Sequence, residues 1–365
     1  MSFAPPSRLT IDLDAIAANW RLLDARHTGQ TAGVVKANAY GLGAAYVAPK
    51  LFAAGCRNFF TAHLSEALTI RPLVGDATVM VLHGILPGEA EIFTSHDIIP
   101  VLSSLPEIAL WAAEAKRLGR TLPALLQADT GMSRLGLSAE ESHIVFNNRA
   151  LLDGINITHV MTHLMNAEIP EHPSNEAQYQ RIAAFQRQFP GAKLSLANSS
   201  GLFLPPKFTS DLARPGAALY GINPTPGRLN PLTPVVQLHG RIIALREIPP
   251  GTEVGYNGVW TARRPSRIAT VAVGYADGYF RALTNQAFGY FDGTPAPLVG
   301  RVSMDLTTFD VTGIANLNLG DSLELLGPHG TPDDLARAAN TNGYEILTAL
   351  GARYQRHYIG AVPRP

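Results

Sequence analysis

A lysine at the end of an apolar run is the first residue in this chain with a reason to do chemistry. Residues 31–35 read as a short buried strand, Lys36 closes it, and Asn38, Tyr40 and Gly41 follow at once in VVKANAYGLG, residues 34–43. Partial desolvation disfavours an ammonium ion and lowers its pKa from about 10.4 toward neutrality, which yields an amine nucleophile and base. A strand-end lysine also has an ordinary reading, a stem packed on apolar surface with its head in water. The chemical reading therefore needs other reactive groups in the same place.

Four more segments supply them, each after its own apolar run: DTGMSRLG (129–136), THL (162–164), Asn198 with Ser199 and Ser200, and RPGAALYG (214–221). If those runs are parallel strands closed into a barrel, their C-terminal ends surround one cavity, and residues far apart in sequence meet there. Ser199 with Gly216 and Ala217 suits a phosphate, because a hydroxyl and closely approached backbone amides donate to an anion without a basic cluster. His163 and Arg214 have ordinary readings of their own, a satisfied strand-end histidine and an ion-pair arginine. Later in the chain, EVGYNG (253–258), VGYADGYFR (273–281) and GRVSMD (300–305) are polar, glycine-bearing segments attached to apolar strands. Tyr256 is the acid/base candidate among them. A phenol with a pKa near 10 becomes usable beside a basic histidine or positive charge.

The elements that must position these groups alternate strand and helix from about residue 9 to residue 220. Strands are predicted at 33–35, 58–61, 78–82, 98–102, 124–128, 157–162, 194–197 and 209–213. Residues 106–118 read as a helix stopped by Gly119, and Ser138 with Glu141 as a capping box opening the next one. Eight such units suit a (β/α)8 TIM barrel, and a doubly wound open sheet shares much of the same local pattern. After Tyr220 the sequence turns rich in Gly, Pro and Asn, and strands are predicted at 235–248, 267–273, 296–302, 307–311 and 322–326, with one helix after Thr331. The expected organisation is an α/β barrel domain over 1–225 and a mostly antiparallel β domain over 226–365.

Composition narrows the partners. Lys+Arg and Asp+Glu both total 29, so no net positive field exists to hold nucleic acid or an anionic membrane, and a small molecule is the expected partner. The single cysteine, Cys56, excludes an internal disulfide and a thiolate zinc cluster, which fits a reducing compartment and no metal. The N-terminal MSFAPPSRLTIDLD has no apolar signal core, and no uncharged stretch approaches a membrane span, so a cytoplasmic protein is expected.

Taken together, these motifs resemble the alanine racemases, pyridoxal 5'-phosphate enzymes of fold type III, in order and approximate spacing over nearly the whole chain. The resemblance implies a homodimer in which each active site combines one barrel with the partner's β domain, and it places residues 8–12 in the β domain. By the same resemblance Lys36 carries the cofactor, Tyr40, Ser199, Gly216 and Ala217 hold its phosphate, and Arg214 faces the pyridine nitrogen and orients His163. Arg134 and the backbone near Met304 position the substrate carboxylate, while Tyr275, Arg281 and Arg301 line the approach to the site. It implies interconversion of L- and D-alanine by two bases, Lys36 and Tyr256 of the partner subunit; conversion from L to D would supply D-alanine for peptidoglycan, and conversion from D to L would support catabolism. His163 tunes that tyrosine.

Two positions depart from the family pattern. Gln127 stands where many relatives have a carbamylated lysine, and offers a neutral carbonyl to Arg134 instead of a charged group. RYQR (353–356) replaces the more usual R-V-P-R. A pyridoxal-phosphate decarboxylase of related fold is an alternative that commonly needs a partner cysteine in the second domain, whereas Cys56 lies in the barrel region. A noncatalytic carrier of the cofactor is another, and usually lacks the second domain.

Overall fold

Short runs rich in β-branched and aromatic residues alternate with helices through the first part of the chain, and the strands they form lie parallel. The computed structural model describes residues 6–360; the outermost residues of the two sequence-defined domains, 1–5 and 361–365, lie outside the described residues. Gly33–Val34, Asn58–Thr61, Thr78–Val81, Ile98–Leu102, Leu122–Gln127, Ile155–Met161 and Lys193–Ser195 form one seven-stranded parallel sheet. The first predicted strand is split at Ala32, and its other half, Gln30–Thr31, pairs in parallel with Leu212–Ala213. Backbone bonds from Asp211 to Leu194 (2.9 Å) and from Arg214 to Ala197 (2.8 Å) join that last strand to the far edge of the sheet. The sheet therefore closes on itself as a barrel; the open-sheet alternative fails.

The connecting helices begin and end where their side chains dictate. Leu105–Leu118 is capped by Ser104, whose hydroxyl accepts from Glu107, and stops at Gly119 in the left-handed region. Ala139–Asn147 opens with the Ser138–Glu141 capping box. Phe59, Phe60 and Trp111 are buried, and the Trp111 indole donates to the Pro123 carbonyl at 3.1 Å. Tyr220 is buried as well, its hydroxyl donating to the Val34 carbonyl at 2.9 Å, next to the end of the first strand. No helix among the described residues is long and apolar enough to cross a membrane.

The chain divides into two units. One holds Ile16–Ala39 and Gly43–Leu232; the other, among the described residues, holds the chain up to Ala15, Tyr40–Leu42 and the stretch from Thr233. The second unit is built on the long strand Val236–Ile248, which pairs antiparallel with Ser7–Asp12, Ser266–Val271 and Ser322–Leu326. Ser7–Asp12 also pairs in parallel with Gln355–Ile359, a polar strand that begins inside the divergent RYQR segment and that the sequence pattern did not reveal. Phe288–Phe291 and the short helix Gly343–Thr348 were likewise unforeseen. The helix after Thr331 is present as Pro332–Ala339, capped by the Thr331 hydroxyl.

His159, on the strand Ile155–Met161, supplies a test of this packing. Its Nδ1 lies 3.1 Å from the Thr158 hydroxyl, and its buried Nε2 has no partner among the described residues. Burial, then the charge of Lys193, lowers its pKa to about 4 from the usual 6.5. Between those values the unfolded chain binds a proton that the folded chain refuses, so stability is expected to rise with pH from about 4 to 6.5. Urea unfolding across that window should show the slope and should show it reduced in His159→Phe; an unchanged slope in the variant would contradict the burial assigned here.

Candidate active site

The barrel's first strand ends in an unusual turn. Ala37, Asn38, Ala39 and Tyr40 all have positive φ, at 51°, 54°, 55° and 54°. Left-handed backbone costs an L-residue roughly 1–2 kcal/mol, so a run of them persists only where other bonds over-determine it. Those bonds are present: Ala37 N–H donates to Glu66 Oε1 at 2.7 Å, Ala39 N–H to the Val35 carbonyl at 2.8 Å, and Gly43 N–H to the Asn38 carbonyl at 2.8 Å. The Asn38 side-chain oxygen accepts from Ala44 N–H at 2.8 Å. Gly41 continues the turn at φ +81°, where a Cβ would stand 2.5 Å from the Leu347 carbonyl oxygen. Sequence reasoning located Lys36 but missed the turn, because none of residues 37–40 is glycine; Asn38, the type that tolerates this conformation best after glycine, was the one available signal.

Lys36 stands at the head of that turn with its pKa lowered. Burial is the main cause, followed by the positive charge of Arg134; Arg214 acts in the same direction and Glu66 opposes them. Arg214 is only 5% exposed. Its guanidinium donates to Ser195 Oγ at 2.5 Å and to the Thr162 carbonyl at 2.6 Å. Burial lowers its pKa to about 10, which leaves it cationic at neutral pH. His163 is held neutral: burial, then the charges of Arg214, Arg134 and Lys36, push its pKa down to about 3. Its carbonyl accepts from Gln178 Nε2 at 2.9 Å, and that amide also donates to Thr130 Oγ1 at 3.1 Å. The result is an amine, a permanent cation and a neutral imidazole close enough to feel one another's charge.

Ser199 and the turn Ala217–Tyr220 form a donor cradle in the same unit. Ser199 Oγ accepts from Gly216 N–H and from Ala218 N–H, both at 3.1 Å, with the Ala217 backbone between them. Asn198 secures the preceding loop, its Oδ1 accepting from Gly201 N–H at 2.9 Å and its Nδ2 donating to the Leu164 carbonyl at 3.1 Å. A hydroxyl and successive amides at the start of two helical turns suit a phosphate ester, which would take the Gly216 and Ala218 amides over from Ser199 Oγ. The loop 129–136 is shaped by Asp129, whose Oδ1 accepts from the amides of Gly131, Met132 and Ser133. Arg134 is exposed on it. Gln127 was expected to offer its carbonyl to Arg134; instead its Nε2 donates to the Leu135 carbonyl at 3.1 Å, so it steadies the loop backbone one residue on.

The remaining candidates lie in the second unit. Tyr256 is 69% exposed in the turn Tyr256–Gly258, and Met304 is 54% exposed. The segments bearing Tyr275 and Met304 are tied together, Tyr275 N–H donating to the Ser303 carbonyl and Ala276 N–H to the Met304 carbonyl, each at 3.0 Å. Arg281 begins the turn Arg281–Leu283, and the buried Nε of Arg301 has no partner among the described residues. Both arginines of the divergent tail are engaged: Arg353 pairs with Asp277 at 2.6 Å and Asp305 at 2.7 Å, and Arg356 donates to the Gly41 carbonyl at 2.6 Å. Tyr40 groups with this unit, its pKa raised by burial and by the neighbouring Tyr344. Tyr344 was not singled out in the sequence, since it opens a six-residue helix that leaves no periodic signal.

Comparison with known proteins agrees with this arrangement. The family model described as alanine racemase, N-terminal domain, matches residues 11–224, and the one described as alanine racemase, C-terminal domain, matches residues 235–358. A protein of Acidiphilium cryptum named alanine racemase is 54% identical over 348 residues, covering 95% of this chain and 97% of the relative. One of Brucella ovis with the same name is 47% identical over 368 residues, covering 96% and 93%. Among solved structures, alanine racemase from Bartonella henselae with covalently bound pyridoxal phosphate superposes with a TM-score of 0.94 at 39% identity, over 98% of this chain and 100% of that one. The chain, a closed parallel barrel whose first strand ends beside a desolvated lysine, followed by a mostly antiparallel domain and matched to these relatives almost end to end, belongs to the alanine racemase family.

Proposed function

We infer that this protein is an alanine racemase that uses pyridoxal 5'-phosphate to interconvert L- and D-alanine. The observation that carries the reading is the meeting of a lysine of lowered pKa, a buried arginine and an amide-and-hydroxyl cradle in one unit of a chain of this family. The donor set fits the cofactor. Lys36 would hold it through its amine, Ser199, Gly216, Ala217 and Tyr40 through its phosphate, and Arg214 at its ring nitrogen. The chemistry pyridoxal phosphate supplies when bound is withdrawal of electrons from the α-carbon of an amino acid.

Everything else falls to the chain's own groups. Arg214 stays protonated, so facing the ring nitrogen it would offer a hydrogen bond without giving up its proton. Lys36 Nζ, its pKa lowered chiefly by burial, is more often unprotonated than an ordinary lysine and so open to a proton from the α-carbon, and once protonated it gives the proton back more readily. Racemisation requires a second acid/base on the opposite face. Tyr256 of the partner subunit is proposed for it, in a homodimer whose active sites each join a barrel domain, residues 1–225 less the strand at 8–12, to the other chain's β domain, 226–365. The exposure of Tyr256 and Met304 supports their availability to a second chain. Arg134 and the backbone at Met304 of the partner subunit would position the substrate carboxylate; His163 would tune the tyrosine, and Tyr275, Arg281 and Arg301 would line the approach. A cytoplasmic enzyme supplying D-alanine for peptidoglycan is the corresponding role.

Purified protein given pyridoxal phosphate and either enantiomer of alanine should bring optical rotation to zero without releasing carbon dioxide; carbon dioxide release without enantiomer exchange would replace this reading with a decarboxylase. Lys36→Ala should lose the borohydride-trapped cofactor. Tyr256→Phe should keep the cofactor and lose racemisation by more than about a hundredfold, and undiminished turnover in that variant would exclude the two-base assignment. His163, with its pKa near 3, should show neutral imidazole shifts by 15N NMR from pH 8 to 5; titration near pH 6.5 would show that neither burial nor the arginine charges depress it.

A further inference from the structure

Glu66 has no part in the reaction described above, yet its carboxylate reaches the lysine turn from the neighbouring strand-to-helix connection. It lies in the first turn of Leu64–Ile70, the helix that follows Asn58–Thr61, and that strand pairs with Gly33–Val34. One oxygen serves its own connection, accepting from Ala62 N–H at 2.8 Å and His63 N–H at 3.3 Å. That is an ordinary duty for a glutamate at the third position of a helix. The other oxygen leaves its own element and accepts from Ala37 N–H at 2.7 Å. The acceptor of the first amide in the left-handed run thus comes from the adjacent barrel connection and carries a charge, which strengthens the bond.

We propose that Glu66 is a positioning residue for Lys36: its carboxylate pins the left-handed turn that aims the lysine amine, and its negative charge stands against the two arginines that crowd that amine. The groups around Lys36 define what removing it does. Arg134 and Arg214 are the cations, His83 and His163 are imidazoles of lowered pKa that also feel the lysine's charge, and Glu66 is the anion. Burial and both arginines lower the lysine's pKa, and Glu66 raises it. Without Glu66 the amine falls further from its ordinary value, and the turn loses its anchor at residue 37. In holoenzyme terms the proposal rests on Lys36 being the cofactor lysine. Its physical content does not.

The test uses the full-length chain freed of pyridoxal phosphate. Reductive 13C-methylation of the lysines, followed by NMR titration, reads the Lys36 pKa, and hydrogen exchange with mass analysis reads the segment 33–43. Glu66→Gln removes the charge and keeps an acceptor oxygen; Glu66→Ala removes both. The Lys36 pKa is expected to fall by about half a unit or more in both variants. Exchange across 33–43 should accelerate by about tenfold or more in Glu66→Ala and by less in Glu66→Gln. An unchanged lysine pKa in Glu66→Gln would overturn the electrostatic role, which a merely structural contact would not produce, and unaltered exchange in Glu66→Ala would overturn the clamp. If Glu66→Ala fails to fold, the same two readouts in Glu66→Gln decide the matter: a lowered pKa with accelerated exchange supports the proposal, and no change in either defeats it. Borohydride reduction of the wild-type holoenzyme with peptide mapping is read separately. Pyridoxyl label on a peptide without Lys36 would remove the cofactor reading while leaving the Glu66 measurements intact.

Discussion

A lysine amine kept partly out of water, close to two arginines, is the constraint on which the site depends. Lys36 is desolvated at the end of its strand, and the charges of Arg134 and Arg214 both disfavour its protonation. Burial, then the same two arginines, keep His163 neutral, so one desolvated, positively charged setting bears on the protonation of two side chains. Arg214 resists because a guanidinium loses its proton only far above neutral pH, and its two short hydrogen bonds to Ser195 and Thr162 fix its orientation. An amine free to accept a proton beside a cation that will not give one up is the combination an α-proton transfer requires.

The fold supplies what that electrostatic arrangement cannot supply for itself. Barrel closure through Leu212–Ala213 carries Arg214 and Gly216 back to the first strand, where the backbone amide of Val34 donates to the Pro215 carbonyl at 3.2 Å. Lys36 and Arg214 are thus neighbours because the sheet closes, despite the length of chain between them. In the second unit the order is reversed: exposed side chains, Tyr256 and Met304, sit on turns whose backbones are tightly tied. Tyr256 is exposed on its turn, as the proposed contribution to a second chain requires.

Much of this was legible in the sequence, for physical reasons that differ by residue. Lys36, Ser199, Arg214 and Gly216 were singled out as candidates because each follows an apolar strand and strand ends converge in a barrel. The Ser138–Glu141 capping box was readable, since a hydroxyl three residues before an acidic side chain has a local bond to make; the Ser104 and Thr331 caps have the same spacing and emerge only in the structure. What escaped was non-local. The left-handed turn at 37–40 is held by a glutamate from the next connection, the strand Gln355–Ile359 exists only because Ser7–Asp12 offers it an edge, and Tyr344 matters through its nearness to Tyr40. Gln127 was placed correctly and assigned the wrong end of its amide, since nothing in one sequence tells which of its two polar atoms meets the loop.

The claim that an active site draws its amine from one chain and its phenol from another is tested most directly by hybrid dimers. Lys36→Ala and Tyr256→Phe chains, each inactive alone, are mixed under conditions that exchange subunits. In a hybrid, one site carries both substitutions and the other carries neither, so random mixing should restore about a quarter of wild-type racemase activity. A mixture that forms hybrids yet stays inactive would place both groups in the same chain and contradict the account.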